Sequence, residues 1–136
     1  MFNVSQIDKN FVVKTSLNID HIRFYDINRD PFSLYGVFFE NGLYRRMPET
    51  VAQAVSTGVH RLHCHTAGGR VKFTTNSRYV AIKAVMTAVG KMPHFALTGS
   101  AGFDLYVGRK EKYYNTFEPP FDISDGYESV CYKDWQ

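Results

Sequence analysis

The chain has 136 residues, which is the size of one ordinary domain and excludes a large multidomain enzyme. Hydrophobic residues make up 44% of it and charged residues 21%, so the composition is that of a globular protein and not of a disordered one. Sixteen Lys and Arg against 13 Asp and Glu give a net charge of +3, and the basic residues are spread along the chain. This distribution argues against nucleic-acid binding and against binding to an anionic membrane surface.

Localisation, redox state and cofactors follow from what the sequence lacks. The first eight residues carry no basic and apolar signal regions, and no apolar run is long enough to cross a bilayer, so we expect a cytoplasmic protein. Cys64 and Cys131 are far apart and match no zinc or redox spacing, so we expect free thiols. No glycine-rich loop leads into a helix, so the sequence predicts no phosphate-bearing or dinucleotide cofactor.

The first half of the chain alternates short apolar runs with turn signals. Between Phe11 and Phe39 this pattern predicts short strands and loops, and the first apolar run is Phe11-Val12-Val13. Asn41-Gly42 lies between apolar residues and predicts a hairpin, because both residues tolerate a positive φ. The helical spacing of Val51, Ala52 and Val55 predicts one short helix near residues 48–56.

After Gly58 the apolar pattern has a period of two, which is typical of strands. The predicted strands are Val59–Cys64, Arg70–Thr74, Tyr79–Met86, Phe103–Val107 and Tyr113–Phe117. Gly99-Ser100-Ala101-Gly102 is predicted to be a tight loop that leads into a strand, since it lacks the glycine that a nucleophile elbow needs two residues before its serine. The sequence therefore predicts an all-β protein, with residues 1–136 forming a single module.

His60, His63 and His65 with Cys64 are the nearest approach to a metal site. On a strand, His63 and His65 share one face while His60 and Cys64 take the other, so at most two imidazoles converge. Exposed or hydrogen-bonded histidines are the favoured interpretation, and His63 and His65 are only weak metal candidates. A metal-dependent enzyme that uses the three histidines stays open as a poorer alternative.

The segment Gly102-Phe103-Asp104-Leu105-Tyr106 carries a family signature. Together with Ser56–Val59, His65–Ser77 and Met92–His94, in this order, it resembles the GxDLY module that precedes the catalytic domain of bacterial SGNH-type (GDSL-like) esterases and lipases. The resemblance covers roughly Leu34 to Phe117. It implies a jelly-roll-like antiparallel β-sandwich, as in modules fused to carbohydrate acetyl esterases.

The resemblance does not imply that this chain is an enzyme. SGNH esterases take their serine from a Gly-Asp-Ser block and their base from an Asp-x-x-His block, and neither occurs in these residues. We therefore predict a non-catalytic N-terminal accessory domain whose partner is the SGNH catalytic domain of the same parent hydrolase, acting on acyl esters such as carbohydrate acetyl esters. The alternative is an independent carbohydrate-binding module that stacks sugars on exposed tyrosines, among them Tyr106 and the pair Tyr113-Tyr114.

The candidate site residues are Gly102, Asp104, Tyr106 and Arg70. Gly102 is expected to have a positive φ or to allow a close backbone approach. The strand after it is expected to point Phe103, Leu105 and Val107 inward and Asp104 and Tyr106 outward. The outer pair either contacts the catalytic domain or a ligand, or it serves hydrogen bonds within the fold.

Arg70 has the same two interpretations, because a guanidinium after Gly68-Gly69 can bind a carboxylate in its own fold or in a partner. The family resemblance also implies further strands beyond Cys131. Their absence here predicts an unpaired sheet edge, through which two copies of the chain could associate.

Overall fold

The structure is a computed structural model and describes residues 15–132; the predicted apolar run Phe11-Val12-Val13 lies outside them. Its strands are β1 Ser33–Tyr35, β2 Phe38–Glu40, β3 Leu43–Arg45, β4 Arg70–Lys72, β5 Tyr79–Val85, β6 Phe103–Val107, β7 Lys112–Phe117 and β8 Gly126–Tyr132. Its helices are α1 Glu49–Val55, α2 Thr57–Leu62 and α3 Leu97–Ala101. These elements belong to two compact units, which we name by their place in the sequence. Tyr25–Asn76 forms the central unit, and the other described residues form the flanking unit.

Two antiparallel ribbons and two helices build the central unit. β1 pairs with β4, and β2 pairs with β3. Asn41 and Gly42 connect β2 to β3 with φ values of 48° and 80°, as a two-residue hairpin turn requires. The predicted hairpin is therefore confirmed.

The predicted helix near residues 48–56 is confirmed as α1, but the strand predicted over Val59–Cys64 is wrong. The first four residues of that segment belong to α2, whose N-cap Ser56 accepts a hydrogen bond from the amide of Val59 at 3.1 Å. Val59, Leu62 and His63 recur at positions i, i+3 and i+4, which is a helical spacing, while Leu62 and Cys64 supply the alternation that predicted a strand. The serine cap resolves this ambiguity in favour of the helix.

Antiparallel strands also organise the flanking unit. β5 pairs along its whole length with β8, and β6 pairs with β7. The predicted strands over Tyr79–Met86, Phe103–Val107 and Tyr113–Phe117 are confirmed within a residue or two. The loop predicted at residues 99–102 is instead the last turn of α3 followed by Gly102, because the amide of Gly102 donates to the carbonyl of Thr98 at 3.0 Å.

The core of the flanking unit is small. Ala101, Ile123 and Tyr127 form its buried cluster, against which half-buried apolar side chains pack: Ile82, Ala84, Met86, Val89 and Leu97. The hydroxyl of Tyr127 lies 2.7 Å from the carbonyl oxygen of Ala101 and 3.2 Å from that of Phe117. Burial raises the pKa of Tyr127 to about 12, so the hydroxyl stays a hydrogen-bond donor at any physiological pH. It joins the end of α3 to the end of β7.

The fold class is mostly β with few short helices, and all the described sheets are antiparallel. Because strands predominate, the elements are consistent with the all-β prediction. Each described sheet has only two strands. Within residues 15–132, the helices are all too short and too polar to cross a membrane.

Glu128 on β8 binds the start of the described chain. Its carboxylate accepts hydrogen bonds from the hydroxyl of Thr15 at 2.6 Å and from the amide and hydroxyl of Ser16 at 2.6 and 2.8 Å. The ammonium of Lys83 lies 3.5 Å away. Burial raises the pKa of Glu128 and is the largest single cause, but the combined hydrogen bonds outweigh it and lower the pKa from 4.5 to about 2.

Glu128→Gln is expected to lower the free energy of unfolding by about 2 kcal/mol at pH 7, since hydrogen bonds to a charged group are lost. Because the folded pKa of Glu128 is depressed, its contribution is fully present above pH 4.5 and is lost as the pH falls through about 2. Urea unfolding of both proteins between pH 7 and 2 checks this. A stability difference that does not shrink on acidification would contradict it.

Candidate functional site

The signature glycine comes directly after α3. Gly102 has a φ of −78°, so of its two predicted roles the positive φ is wrong. A Cβ at this position would lie 2.3 Å from the carbonyl oxygen of Thr98 and 2.9 Å from its Cα. Real Cβ atoms do not approach backbone so closely, which confirms the other predicted role, a close backbone approach. Gly102 lets the chain turn from α3 directly into β6.

Asp104 and Tyr106 lie on the exposed face of β6, as predicted. Their cross-strand partners on β7 are Thr116 and Tyr113, respectively. On the other face, Leu105 is half-buried as expected.

The prediction is wrong for Phe103, which is 42% exposed, although its ring centroid lies 6.4 Å from that of Tyr127. Phe103 therefore belongs to the rim of the core and not to its interior.

A β-bulge makes the polar side of this hairpin continuous. Thr116 and Tyr113 are three residues apart, which places them on opposite faces of a regular strand. The register shifts between Leu105 and Tyr106, so that Tyr114 is an extra residue of β7. This shift returns Tyr113 to the same face as Thr116, and their hydroxyls lie 2.9 Å apart.

The four residues Asp104, Tyr106, Tyr113 and Thr116 form one surface, which we name the motif face. The hydroxyl of Thr116 donates to the carboxylate of Asp104 at 2.7 Å, so the hydroxyl of Tyr113 must donate to that of Thr116. The rings of Tyr106 and Tyr113 meet edge to face at 5.9 Å and are 54% and 58% exposed. The motif face therefore combines two accessible rings with oxygen atoms that can accept further hydrogen bonds.

Arg70 lies on β4 in the central unit. Its guanidinium carbon lies 5.8 Å from the ring centroid of Tyr35, its cross-strand partner on β1. The ammonium of Lys72 lies 5.6 Å from the same ring. Arg70 is exposed and takes part in a cation–π contact with this ring.

The strand-based argument for His63 and His65 fails, because His63 ends α2. His63 is 3% exposed, and the guanidinium of Arg45 donates to its Nε2 at 2.8 Å. Its Nδ1 donates to the carbonyl of His60, so the ring is the neutral Nδ1–H tautomer with its only lone pair taken. His65 is exposed. Within the described part of the chain, no three His, Cys, Asp or Glu residues are placed to bind a metal ion.

Arg45 is the centre of a network that the sequence did not indicate. Its side chain is 5% exposed, donates to the carbonyl of Glu40 at 3.1 Å, and lies 3.6 Å from the carboxylates of Glu40 and Glu49. It also donates to the thiol of Cys64 at 3.6 Å. Together with the hydrogen bond to His63, these contacts link the β2–β3 hairpin to both helices of the central unit.

The other nucleophile candidates are hydrogen-bonded or buried. The hydroxyl of Ser100 donates to the carbonyl of Leu97 within α3. Both cysteines are free, and burial, with a smaller effect of Glu118, raises the pKa of the Cys131 thiol. A buried thiol with a raised pKa is a poor nucleophile.

Comparison with known proteins decides the family. Residues 22–132 match the family described as GxDLY, the N-terminus of SGNH hydrolase-type esterases. The chain belongs to this family. No curated protein and no solved structure matches it. The GxDLY match covers both units and confirms the resemblance found from Gly102 to Tyr106 and its companion segments. The family is described as the N-terminal part of SGNH hydrolase-type esterases.

Proposed function

We propose that this GxDLY chain is a non-catalytic accessory domain of an SGNH-type ester hydrolase and that its motif face packs against the catalytic domain. The observation that carries the proposal is the placement of the signature side chains. Asp104 and Tyr106 are both exposed, and they are held in place by Thr116 and Tyr113. Ordered side chains on an exposed face are available to a partner, whereas a purely structural role would use them in the core.

The chemistry of the motif face indicates what the partner surface offers. Tyr113 uses its proton within the chain, so its oxygen presents lone pairs to a partner, as does the carboxylate of Asp104. The two accessible rings supply the apolar area that interface cores favour. The matching surface on a catalytic domain would therefore carry donors such as Arg or backbone amides beside an apolar patch.

Apolar exposure in the flanking unit supports a covered surface. Besides Tyr106 and Tyr113, several large apolar side chains there are more than a third exposed: Val85, Met92, Phe95, Phe103, Phe121 and Tyr132. Phe121 is 91% exposed and follows Pro119-Pro120. Such exposure is typical of domains that bury these side chains against a partner.

The docking proposal is tested with Asp104→Ala and Tyr106→Ser in the esterase that carries this module. We expect kcat/KM for a nitrophenyl ester to fall about fivefold or more, which corresponds to losing roughly 1 kcal/mol of interface energy. The melting temperature of the 136-residue chain should stay nearly unchanged, because both side chains are exposed. Arg109→Ala, in the turn between β6 and β7, is the control and should leave activity intact.

Two results would contradict docking. Equal activity losses for Arg109→Ala and Tyr106→Ser would show a non-specific effect of the hairpin. A large loss of stability in the isolated Asp104→Ala chain would instead show that Asp104 holds the fold.

The non-catalytic assignment has its own assay. The 136-residue chain should hydrolyse nitrophenyl acetate no faster than free imidazole does, since Ser100 and the cysteines are engaged or buried. A burst of nitrophenol that disappears in Ser100→Ala would contradict the assignment.

The architecture of the whole module and the substrate of its parent enzyme are also proposals. We infer that the two-stranded sheets belong to a jelly-roll-like sandwich and that the parent acts on acyl esters of carbohydrates, as the family resemblance implies. A flat platform for neutral sugars has less support. All the described Phe and Tyr ring pairs are inclined to each other by 43° to 76°, whereas such a platform needs coplanar rings.

A further inference from the structure

The motif face carries a negative charge that the hairpin itself does not balance. One oxygen of the Asp104 carboxylate accepts the hydroxyl of Thr116 at 2.7 Å, and this donor is neutral. Among residues 15–132, Asp104 forms no ion pair. Lys112 is the basic residue of β6 and β7, and it pairs with Val107, which places it on the opposite face. The carboxylate therefore keeps its attraction for a cation from outside the module.

The two tyrosine rings beside the carboxylate leave ring surface open. Tyr106 and Tyr113 are each more than half exposed, and their rings meet edge to face at 76°. Such a contact covers one face of one ring, so the other ring faces are left for a ligand. Within the described part of the chain, the cation–π contacts involve Tyr35 and Phe24, and none involves this pair. The open faces can therefore accept a cation.

A chain of hydrogen bonds holds the carboxylate and one ring together. The hydroxyl of Tyr113 donates to that of Thr116 at 2.9 Å, and Thr116 donates to Asp104. These bonds restrain both the ring and the carboxylate before any ligand is bound. A restrained site loses less side-chain entropy on binding than a mobile one does. The motif face thus presents an anion and an aromatic surface in a fixed arrangement.

One protein group suits both features of the motif face. A backbone amide can donate to the oxygens of Asp104, but it brings no charge to balance the carboxylate. A lysine ammonium brings the charge as a compact, strongly hydrated group. An arginine guanidinium is planar, so that it stacks on a ring while the N–H groups at its edge donate to a carboxylate. The combination of rings and carboxylate therefore favours arginine over the other donors.

We propose that the motif face binds an arginine side chain of the SGNH catalytic domain. The guanidinium stacks on the Tyr106–Tyr113 pair and donates to the carboxylate of Asp104. The oxygen of Tyr113 is a further acceptor, because its proton is used within the chain. This inference rests on the proposed function, since its occupant is the catalytic domain, and it names the residue type through which that domain binds.

The test is a nuclear magnetic resonance titration of the 136-residue chain with N-acetyl-arginine amide. N-acetyl-citrulline amide, which has nearly the same shape without the charge, is the matched probe. We expect the arginine probe to shift the amide signals of Asp104, Tyr106 and Tyr113, and the citrulline probe to bind at least tenfold more weakly. Asp104→Asn should weaken binding of the arginine probe roughly tenfold. Asp122→Asn removes the same charge from an exposed position between β7 and β8, and it should bind like the parent chain.

Several outcomes would overturn the proposal. Equal binding of the two probes would remove the role of charge, and equal losses in Asp104→Asn and Asp122→Asn would show only a net-charge effect. Competition by tetramethylammonium at the same concentration as the arginine probe would show a site for any organic cation. If Asp104→Asn fails to fold by circular dichroism, Tyr106→Leu carries the comparison, because this change removes one exposed ring.

The same experiment separates this inference from docking itself. If the arginine probe does not bind, but Asp104→Ala and Tyr106→Ser still lower kcat/KM of the esterase, docking stands and the arginine partner is wrong. If those two variants leave kcat/KM of the esterase unchanged, both docking and its arginine partner are wrong. When both hold, Asp104→Asn in the esterase should reproduce most of the loss seen with Asp104→Ala, since the charge and not the shape is what the partner recognises.

Discussion

Gly102→Ala is expected to lower the free energy of unfolding of the chain by about 3 kcal/mol, at the upper end of the range for overpacked sites. The new methyl group would lie 2.3 Å from the carbonyl oxygen of Thr98 and 2.9 Å from its Cα, and both of these contacted atoms belong to the backbone. Backbone at the end of α3 cannot turn aside as a flexible side chain can. Either the last turn of α3 opens or β6 shifts, and both changes disturb the packing around Ala101. Urea unfolding followed by far-ultraviolet circular dichroism measures the loss.

Two other glycines serve as controls for Gly102. A Cβ on Gly90 would meet nothing within 4 Å, so Gly90→Ala should change stability by less than about 0.5 kcal/mol. Gly58 lies inside α2 with only the hydroxyl of Ser56 near, at 3.8 Å, so Gly58→Ala should stabilise the chain by roughly 0.5–1 kcal/mol. If Gly102→Ala behaved like Gly90→Ala, the close approach would not be what requires glycine in the signature.

Local signals predicted the β elements well. Asn41-Gly42 forms a hairpin turn with positive φ at both residues. Tolerance of a positive φ is a property of these residue types themselves. The alternation in Phe103–Val107 and Tyr79–Val85 likewise reports the two faces of a strand. Such patterns depend on neighbours in sequence and are therefore visible without the fold.

Segments with two compatible periods were not predictable in this way. Around α2, the spacing of Val59, Leu62 and His63 fits a helix, yet the apolar Leu62 and Cys64 also alternate with the polar Arg61 and His63. The cap at Ser56 was the signal that could have decided between them. For α3 no such signal exists, since its N-cap is Ala96 and no side chain caps it. Its helical turn depends on packing of Leu97 and Ala101 in the core.

The sequence located half of the motif face. The signature identifies Gly102, Asp104 and Tyr106, and the sugar-binding alternative includes Tyr113, but neither indicates that Thr116 and Tyr113 are the cross-strand partners. The reason is the bulge at Tyr114, which changes the strand's face between the two partners and carries no glycine to mark it. Pairing between strands is a property of the folded chain, and so is the surface that results.

The Arg45 network was also hidden, because its members come from β3, β2 and both helices. The sequence suggested a histidine cluster, and the structure instead has a buried arginine that holds the Nε2 of His63. The stacked rings of His60 and His63, 5.4 Å apart, follow from their i, i+3 spacing on α2. His60 in turn lies 3.6 Å from the carboxylate of Glu49. The network thus fixes α1 and α2 relative to the β2–β3 hairpin.

Arg45→Met is expected to lower the free energy of unfolding by about 3 kcal/mol. Methionine fills much of the space but leaves the buried Nε2 of His63 and the partly buried carbonyl of Glu40 without the arginine donor. It also leaves the carboxylates of Glu40 and Glu49 without the cation between them. Arg45→Lys should recover only a small part of the loss, because a single ammonium cannot reach all of these acceptors.

Arg46→Met is the matched control for Arg45→Met, since it removes the same charge one residue further along the chain. Arg46 is exposed, and the one described hydrogen bond of its guanidinium is to the carbonyl of Leu62, at 2.9 Å. Its loss should cost no more than about 1 kcal/mol. Urea unfolding of the three variants beside the parent chain gives the comparison. Equal losses for Arg45→Met and Arg46→Met would mean that net charge, and not the buried network, stabilises the central unit. Full recovery in Arg45→Lys would mean that charge alone, without the guanidinium fork, is enough at this position.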